Sequence, residues 1–272
     1  MQNIVLLAGT AIQIDMPGKK ILYITTEMHP YQEESSMAEM VSKMALKMHG
    51  EGNDVRVFMP KFGVISERKF QLHEVIRLSG MNIIINDLDQ PLIIKVASLP
   101  GERLQVYFID NEEYFKRKSY YFDEDGNGYD DNDERAVFFA RGVIETIKKL
   151  NWVPDVIHLN GWMSAFVPIY LKTFYKNDYY FNDTKIILSL YNEKDSGLSE
   201  TVKDVLKFDN INGLDAVNNP TFLNFVSDAM NHVDLVVKGD EFLEGDLDQS
   251  FSNTKTKKSD YLDVDLINSL YQ

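Results

Sequence analysis

The 272-residue chain sets 28 basic against 42 acidic side chains, a formal charge of −14, with 44% hydrophobic and 12% aromatic residues. That is enough apolar material for one large or two small domains, and the charge excludes a general affinity for nucleic acid or an anionic membrane. The absence of cysteine excludes disulfides, thiol catalysis and cysteine–zinc sites, and agrees with a cytoplasmic location. Neutral glucans, proteins and small molecules stay open as ligand classes.

Residues 1–18 read as an extension. Its apolar run, Val5 to Ile12, is too short to span a bilayer, and no basic residue precedes it as in a signal peptide. The first clear element is Ile21 to Thr25, a short β-branched run that predicts a buried strand. Ser36 and Glu39 form a capping-box pair and predict a helix start there. Met37, Met40, Val41, Met44, Ala45 and Met48 then share one helical face, and Gly50 and Gly52 end the helix. Val55 to Met59 is a second buried strand, so the segment is a βαβ unit with parallel strands.

In such a unit, ligands collect at the carboxyl end of the first strand, beside the helix N-terminus, where free N–H groups attract anions. Here the loop carries Glu33 and Glu34 and no glycine. A self-capped helix start is the plainer reading than a phosphate site.

Leu72 to Leu78, Met81 to Ile85, Leu92 to Ala97 and Leu104 to Asp110 are β-rich runs, separated by Gly80, by residues 87–91 and by Pro100-Gly101. They predict a small inserted meander whose last strand belongs to the main sheet. A polar loop, 123–134, precedes a helix with Asn132 as N-cap and Ala136, Val137, Phe139, Ala140, Val143, Ile144 and Ile147 inward. Val156 to Leu159 is a strand, Trp162 to Tyr175 a helix, Lys185 to Leu190 a strand, and Val233 to Val237 the last strand. Residues 199–231 hold broken helical pieces. From Gln249 the chain is polar, except for an apolar patch from Leu262 to Tyr271 that either docks or stays free. The plan is an α/β fold, Rossmann-like, with a mostly parallel sheet flanked by helices and a small β-rich insertion: extension 1–18, domain 19–248, tail 249–272.

Residues 123–134 match the spacing of an EF-hand calcium loop, with oxygen donors at Asp123, Asp125, Asn127, the Tyr129 carbonyl, Asp131 and Glu134, and Gly128 at the sharp turn. Asp130 stands where that loop wants an apolar residue and the entering helix is weak, so a solvated acidic loop is the plainer reading and no metal is assigned. His158 lies inside an apolar strand, where a satisfied core histidine competes with a functional one. Trp162 falls at the mouth of the sheet, where an aromatic face can stack on a sugar or pack in the core. Asn192, after another strand, is either a hydroxyl partner or a turn former. No nucleophile triad, zinc-type histidine pair or Walker loop is present.

Taken in order, these residues resemble the N-terminal catalytic half of the bacterial glycogen synthase and plant starch synthase family, the ADP-glucose-dependent glucan synthases. The likeness rests on Lys20 to Glu27 with Pro30, Asp54 to Gly63, Tyr107 to Phe115, Tyr129 with Asp131 and Asn132, Glu134-Arg135 with Phe138-Phe139, Pro154 to His158, Trp162, Val167-Pro168 with Leu171, and Phe222 to Val237. It implies the first domain of a two-domain GT-B glycosyltransferase that makes α-1,4-glucan, with no cofactor. The family's K-T-G-G loop is replaced by Glu33, Glu34, Ser35 and Ser36. Its H-D-W-H is Asn160-Gly-Trp-Met163, and its I-H-N is Leu190-Tyr-Asn192. The chain also ends where the family's second domain would begin.

Glycosyl transfer from a sugar nucleotide needs cations or oriented amides around the departing diphosphate and a closed cleft. The expectation is therefore a relative that is non-catalytic alone, with no catalytic residue assigned, and that keeps α-glucan recognition through Glu27, Ser35, Ser36, His158, Trp162, Tyr191 and Asn192. Two alternatives stand beside it: an α-1,4-glucosyltransferase completed by a separate protein partner, and a protein-interaction module, such as a homo-oligomer, without glucan binding.

Overall fold

Ile21, Leu22, Tyr23 and Ile24 are each at most 1% exposed, because their strand, β1 (Lys20–Thr25), has parallel neighbours on both edges. The computed structural model describes residues 3–7, 10–14, 18–32, 35–193, 198 and 201–272; Glu33 and Glu34 lie outside them. Asn3–Leu7 and Thr10–Ile14 pair as an antiparallel two-stranded sheet of their own.

Helix α1 (Ser36–Gly50) follows β1 and leads to β2 (Asp54–Pro60). Its cap is Ser35, one residue before the expected position. Ser35 has the extended backbone a cap needs, and its Oγ accepts from the Ala38 N–H at 2.9 Å. Ser36 is already helical and donates instead to the Asp240 carboxylate at 2.6 Å, while Glu39 pairs with Lys43 at 2.6 Å.

The β-rich runs become β3 (His73–Glu74), β4 (Met81–Ile85), β5 (Leu88–Ser98) and β6 (Gln105–Asp110). They form the expected antiparallel meander, which is continuous with the main sheet. Residues 87–91, expected as a break, belong largely to β5. The turn is only Asn86 and Asp87, both with positive φ (47° and 65°), the geometry that tight hairpins demand. The long β5 then pairs antiparallel with β6 and extends the main sheet.

Helix α2 (Asn132–Lys149) begins one residue after its cap position, Asp131, so Asn132 is inside the helix; it is buried, with its Nδ2 on the Tyr121 carbonyl at 2.9 Å. The expected inward face is buried throughout. The buried Arg135 reaches off this helix to the carbonyls of Tyr114 (2.7 Å) and Tyr120 (2.8 Å), which pins the segment 114–121.

Next come β7 (Val156–Asn160), a 3₁₀ turn over Trp162–Ala165, helix α3 (Phe166–Lys172), β8 (Lys185–Leu190), α4 (Phe222–Met230), β9 (Leu235–Lys238), α5 (Gly245–Asn253) and β10 (Lys258–Ser259). The expected single helix from Trp162 to Tyr175 is thus two pieces, and it ends at Lys172.

The main sheet runs β10-β9-β8-β7-β1-β2-β6-β5-β3, with β4 on β5. It is parallel from β10 to β6 and antiparallel beyond. The chain builds outward from β1 in one direction, then returns to place β7 on its other edge. The reversal opens a crevice at the carboxyl ends of β1 and β7.

The apolar patch near the end of the chain docks. Leu262, Ile267 and Tyr271 are buried. Lys185 Nζ donates to the Leu270 carbonyl at 2.7 Å, and Lys19 Nζ to that of Tyr271 at 2.5 Å. Both lysines sit at the amino ends of strands, so this segment closes the end of the sheet opposite the crevice. No helix among the described residues is long and apolar enough to cross a membrane.

Candidate ligand-binding cleft

A cavity of about 450 Å³ occupies the crevice. Glu27 comes to it from the end of β1, Ser35, Ser36 and Met37 from the start of α1, and Trp162 from the end of β7. Tyr191, Asn192 and Glu193 follow β8, Asp240 follows β9, and Ser119 to Phe122 form the facing wall.

Two glycines shape it. Gly161 has φ +85°, and a Cβ there would run into the Thr26 hydroxyl, so only glycine turns the chain sharply enough to set Trp162 on the wall. At Gly239 a Cβ would enter the Tyr191 ring. Tyr191 is thereby held at 3% exposure, its hydroxyl donating to Asn160 Oδ1 at 3.1 Å.

The polar groups brace one another. Ser35 Oγ donates to the Glu27 carboxylate. Asp240 accepts from Ser36 Oγ and, at 2.7 Å, from the Asn192 N–H. The Asn192 amide is consumed at both ends, Nδ2 on the Phe242 carbonyl (2.7 Å) and Oδ1 under the Glu244 N–H (2.9 Å). Its side chain therefore fastens the loop after β9 and acts as a turn former.

Of the seven residues expected at a site, Glu27, Ser35, Ser36, Trp162, Tyr191 and Asn192 line this cavity. His158 does not. It is fully buried in the sheet, with Nδ1 2.7 Å from the Tyr271 hydroxyl and Nε2 2.7 Å from Ser189 Oγ. Burial pushes its pKa down to about 3, so it stays neutral and structural.

Sequence reasoning missed Glu193 and Asp240. Both stand just past a parallel strand's carboxyl end, which was the signal available. Burial pushes the Glu193 carboxyl up to about 8; the Trp162 backbone N–H, which it accepts, opposes the rise, and the charges of Glu27 and Asp240 add to it. Among the described residues, the lining includes three carboxyl groups and no lysine, arginine or histidine. Trp162 is 2% exposed and packs edge-on to Tyr121 at 5.5 Å, yet its indole N–H has no partner among the described residues.

The EF-hand-like loop is self-occupied. Asp123 accepts from the N–H groups of Asp125 (3.0 Å) and Asn127 (2.8 Å). Asp131 is paired with Arg117 at 2.6 Å, and Glu134 accepts from Tyr114 Oη at 3.0 Å and Asn86 Nδ2 at 2.9 Å. Among the described residues no group of three or more His, Asp or Glu is gathered to hold a metal ion, in this loop or in the cleft.

A parallel sheet that reverses direction beside such a crevice is the layout of a ligand-binding α/β domain. The family model of the starch synthase catalytic domain matches residues 20–241. The chain belongs to that family. It is 37% identical over 180 residues to a glycogen synthase of Chlorobium limicola, covering 66% of this chain and 37% of that protein. With a glycogen synthase of Chlorobium chlorochromatii it is 34% identical over 241 residues, 86% of this chain and 49% of the relative. The chain thus spans half or less of the length of these curated relatives. The solved catalytic domain of starch synthase IV from Arabidopsis thaliana, bound to ADP and acarbose, shares its fold: TM-score 0.65 at 19% identity, covering 81% of this chain and 44% of that one.

Proposed function

We propose that this domain holds a neutral α-glucan in its cleft, and that it does not by itself carry out glucosyl transfer from ADP-glucose. One observation carries the reading: among the described residues, the cavity wall bears the carboxyl groups of Glu27, Glu193 and Asp240 and no cationic side chain. A departing diphosphate is stabilised by cations or free oriented amides. Here the start of α1 is capped by its own Ser35 and braced to Asp240 through Ser36. Bringing a nucleotide diphosphate against Glu27 and Asp240 sets like charges together in a half-buried site. A hydroxylated neutral chain meets no such repulsion, and the carboxyl oxygens accept hydrogen bonds from its hydroxyl groups. The Arabidopsis domain was solved with ADP and with acarbose; the present lining favours the second kind of ligand over the first.

The test compares two ligands on the purified chain. ADP-glucose at millimolar concentration is expected to leave the melting temperature unchanged, while glycogen affinity gels retain the protein and release Trp162→Ala sooner. A clear ADP-glucose shift with transfer of labelled glucose would establish the glucosyltransferase instead. No retention on the gel would leave a protein-interaction module.

A further inference from the structure

The docked segment around Tyr271 lies beyond residue 241, where the match to the starch synthase catalytic domain stops, yet it completes a hydrogen-bonded run inside that domain's sheet. The buried Tyr271 ring packs against His158 at 5.7 Å and Tyr23 at 6.4 Å between ring centroids.

The protons give the run a direction. Tyr271 Oη donates to Tyr23 Oη at 2.8 Å. A hydroxyl has one hydrogen, so Tyr271 can only accept from His158 Nδ1, 2.7 Å away. His158 is therefore the Nδ1–H tautomer, and its Nε2 accepts from Ser189 Oγ at 2.7 Å.

Two links lead from this run to the cleft. Ser189 stands two residues before Tyr191, which lines the cavity. Asn160, two residues after His158, donates from Nδ2 to the His158 carbonyl (3.2 Å) and accepts at Oδ1 from the Tyr191 hydroxyl (3.1 Å). Ser189 and Asn160 are also register partners between β8 and β7. Without the Tyr271 hydroxyl, Nδ1–H becomes a buried donor with no acceptor, which is costly. Moving the proton to Nε2 relieves this: His158 then donates to Ser189, whose own hydrogen must turn elsewhere. A network with two discrete arrangements is what allows separated sites to be coupled.

We infer that Tyr271 is a positioning residue for the cleft: docking of the C-terminal segment fixes the His158 tautomer and, through Ser189 and Asn160, holds Tyr191 in the cavity wall. Segment docking and ligand binding then favour each other by the same factor. That the ligand is a glucan rests on the reading above; the control of Tyr191 does not.

NMR of protein labelled at histidine nitrogens and tyrosine rings, with calorimetric titration by maltoheptaose, tests this on the wild type and on Tyr271→Phe, which deletes the hydroxyl and keeps the buried ring. His158, recognised by staying neutral at about pH 5, is expected as Nδ1–H in the wild type and Nε2–H in the variant, with the Tyr191 ring signals displaced. Maltoheptaose should bind the variant about fivefold more weakly, and in the wild type should slow hydrogen exchange at the Tyr271 amide by about the same factor. Leu262→Val trims the same segment upstream of the run and should change neither tautomer nor affinity. An affinity loss there equal to that of Tyr271→Phe would mean general loosening and overturn the inference. So would an unchanged tautomer in Tyr271→Phe, or a changed one with Tyr191 signals and affinity unmoved. If the wild type does not bind maltoheptaose, the glucan reading falls; displaced Tyr191 signals would then uphold the inference and unmoved ones overturn it.

Discussion

In the middle of the sheet, His158, Ser189, Tyr271 and Tyr23 form a closed run of hydrogen bonds of 2.7–2.8 Å, with no ring nitrogen or hydroxyl left over. At the carboxyl end of the same strands, Glu27, Glu193, Asp240 and Trp162 surround open volume, and the indole N–H has nothing to donate to among the described residues. The first cluster is buried and the cleft carboxyl groups are half-buried, and in the buried cluster the fold supplies every partner. In the other it leaves a donor unpaired among the described residues and sets three carboxyl groups on one cavity wall, an arrangement that lowers stability and is tolerated where a ligand completes the site.

The comparison breaks most directly at Tyr271. Tyr271→Ala removes a buried ring and reopens the His158 cluster, and urea denaturation should show a loss of about 3–5 kcal/mol. A loss under ~1 kcal/mol would mean that the docked segment contributes little. On the cleft side, Gly239→Ala drives a methyl into the Tyr191 ring, and the same assay should show about 3 kcal/mol lost, the upper end of overpacking costs.

Titration sharpens the contrast because the two clusters have opposite signs. His158 is neutral in the fold down to about pH 3, while an unfolded histidine takes up a proton below ~6.5. Stability therefore falls on acidification from ~6.5 toward 3. Glu193 keeps its proton in the fold up to about pH 8, while the unfolded carboxyl has lost it above ~4.5. It therefore removes stability as pH rises across that span. Glu193→Gln should recover about 2 kcal/mol at pH 8 and flatten the decline between pH 5 and 8, as read from melting curves. An unchanged slope would show that Glu193 is ionised at neutral pH. The smallest effect is expected at Trp162→Phe, which deletes the orphaned donor. Its stability should stay within about 1 kcal/mol of wild type while retention on glycogen weakens.

Several elements are legible in the amino-acid sequence alone. The run Ile21 to Thr25, the inward faces of the helices at Met37 and Ala136, and the strands at Val156, Lys185 and Leu235 each carry a local period that burial follows. Most of the residues expected at a site stand just past strand ends or at the first helix start, and six of the seven line one cavity for that reason. His158 is the exception, because a histidine in mid-strand looks the same whether its ring meets solvent or a tyrosine 113 residues away. The cap falls on Ser35 rather than Ser36 because both serines suit the position and only backbone direction separates them.

The sequence by itself determined the class of sheet and the family, since these follow from short-range periodicity and motifs. Only the tertiary structure decided that the segment around Tyr271 closes the amino end of the sheet, that the Asn192 amide is spent on a loop, and that Glu193 and Asp240 join Glu27 around one space. Those outcomes depend on which distant atoms meet. A carboxylate's charge is written in the chain, but its neighbours, and so its affinity for a proton or a sugar, are set only by the packing that brings four strand ends together.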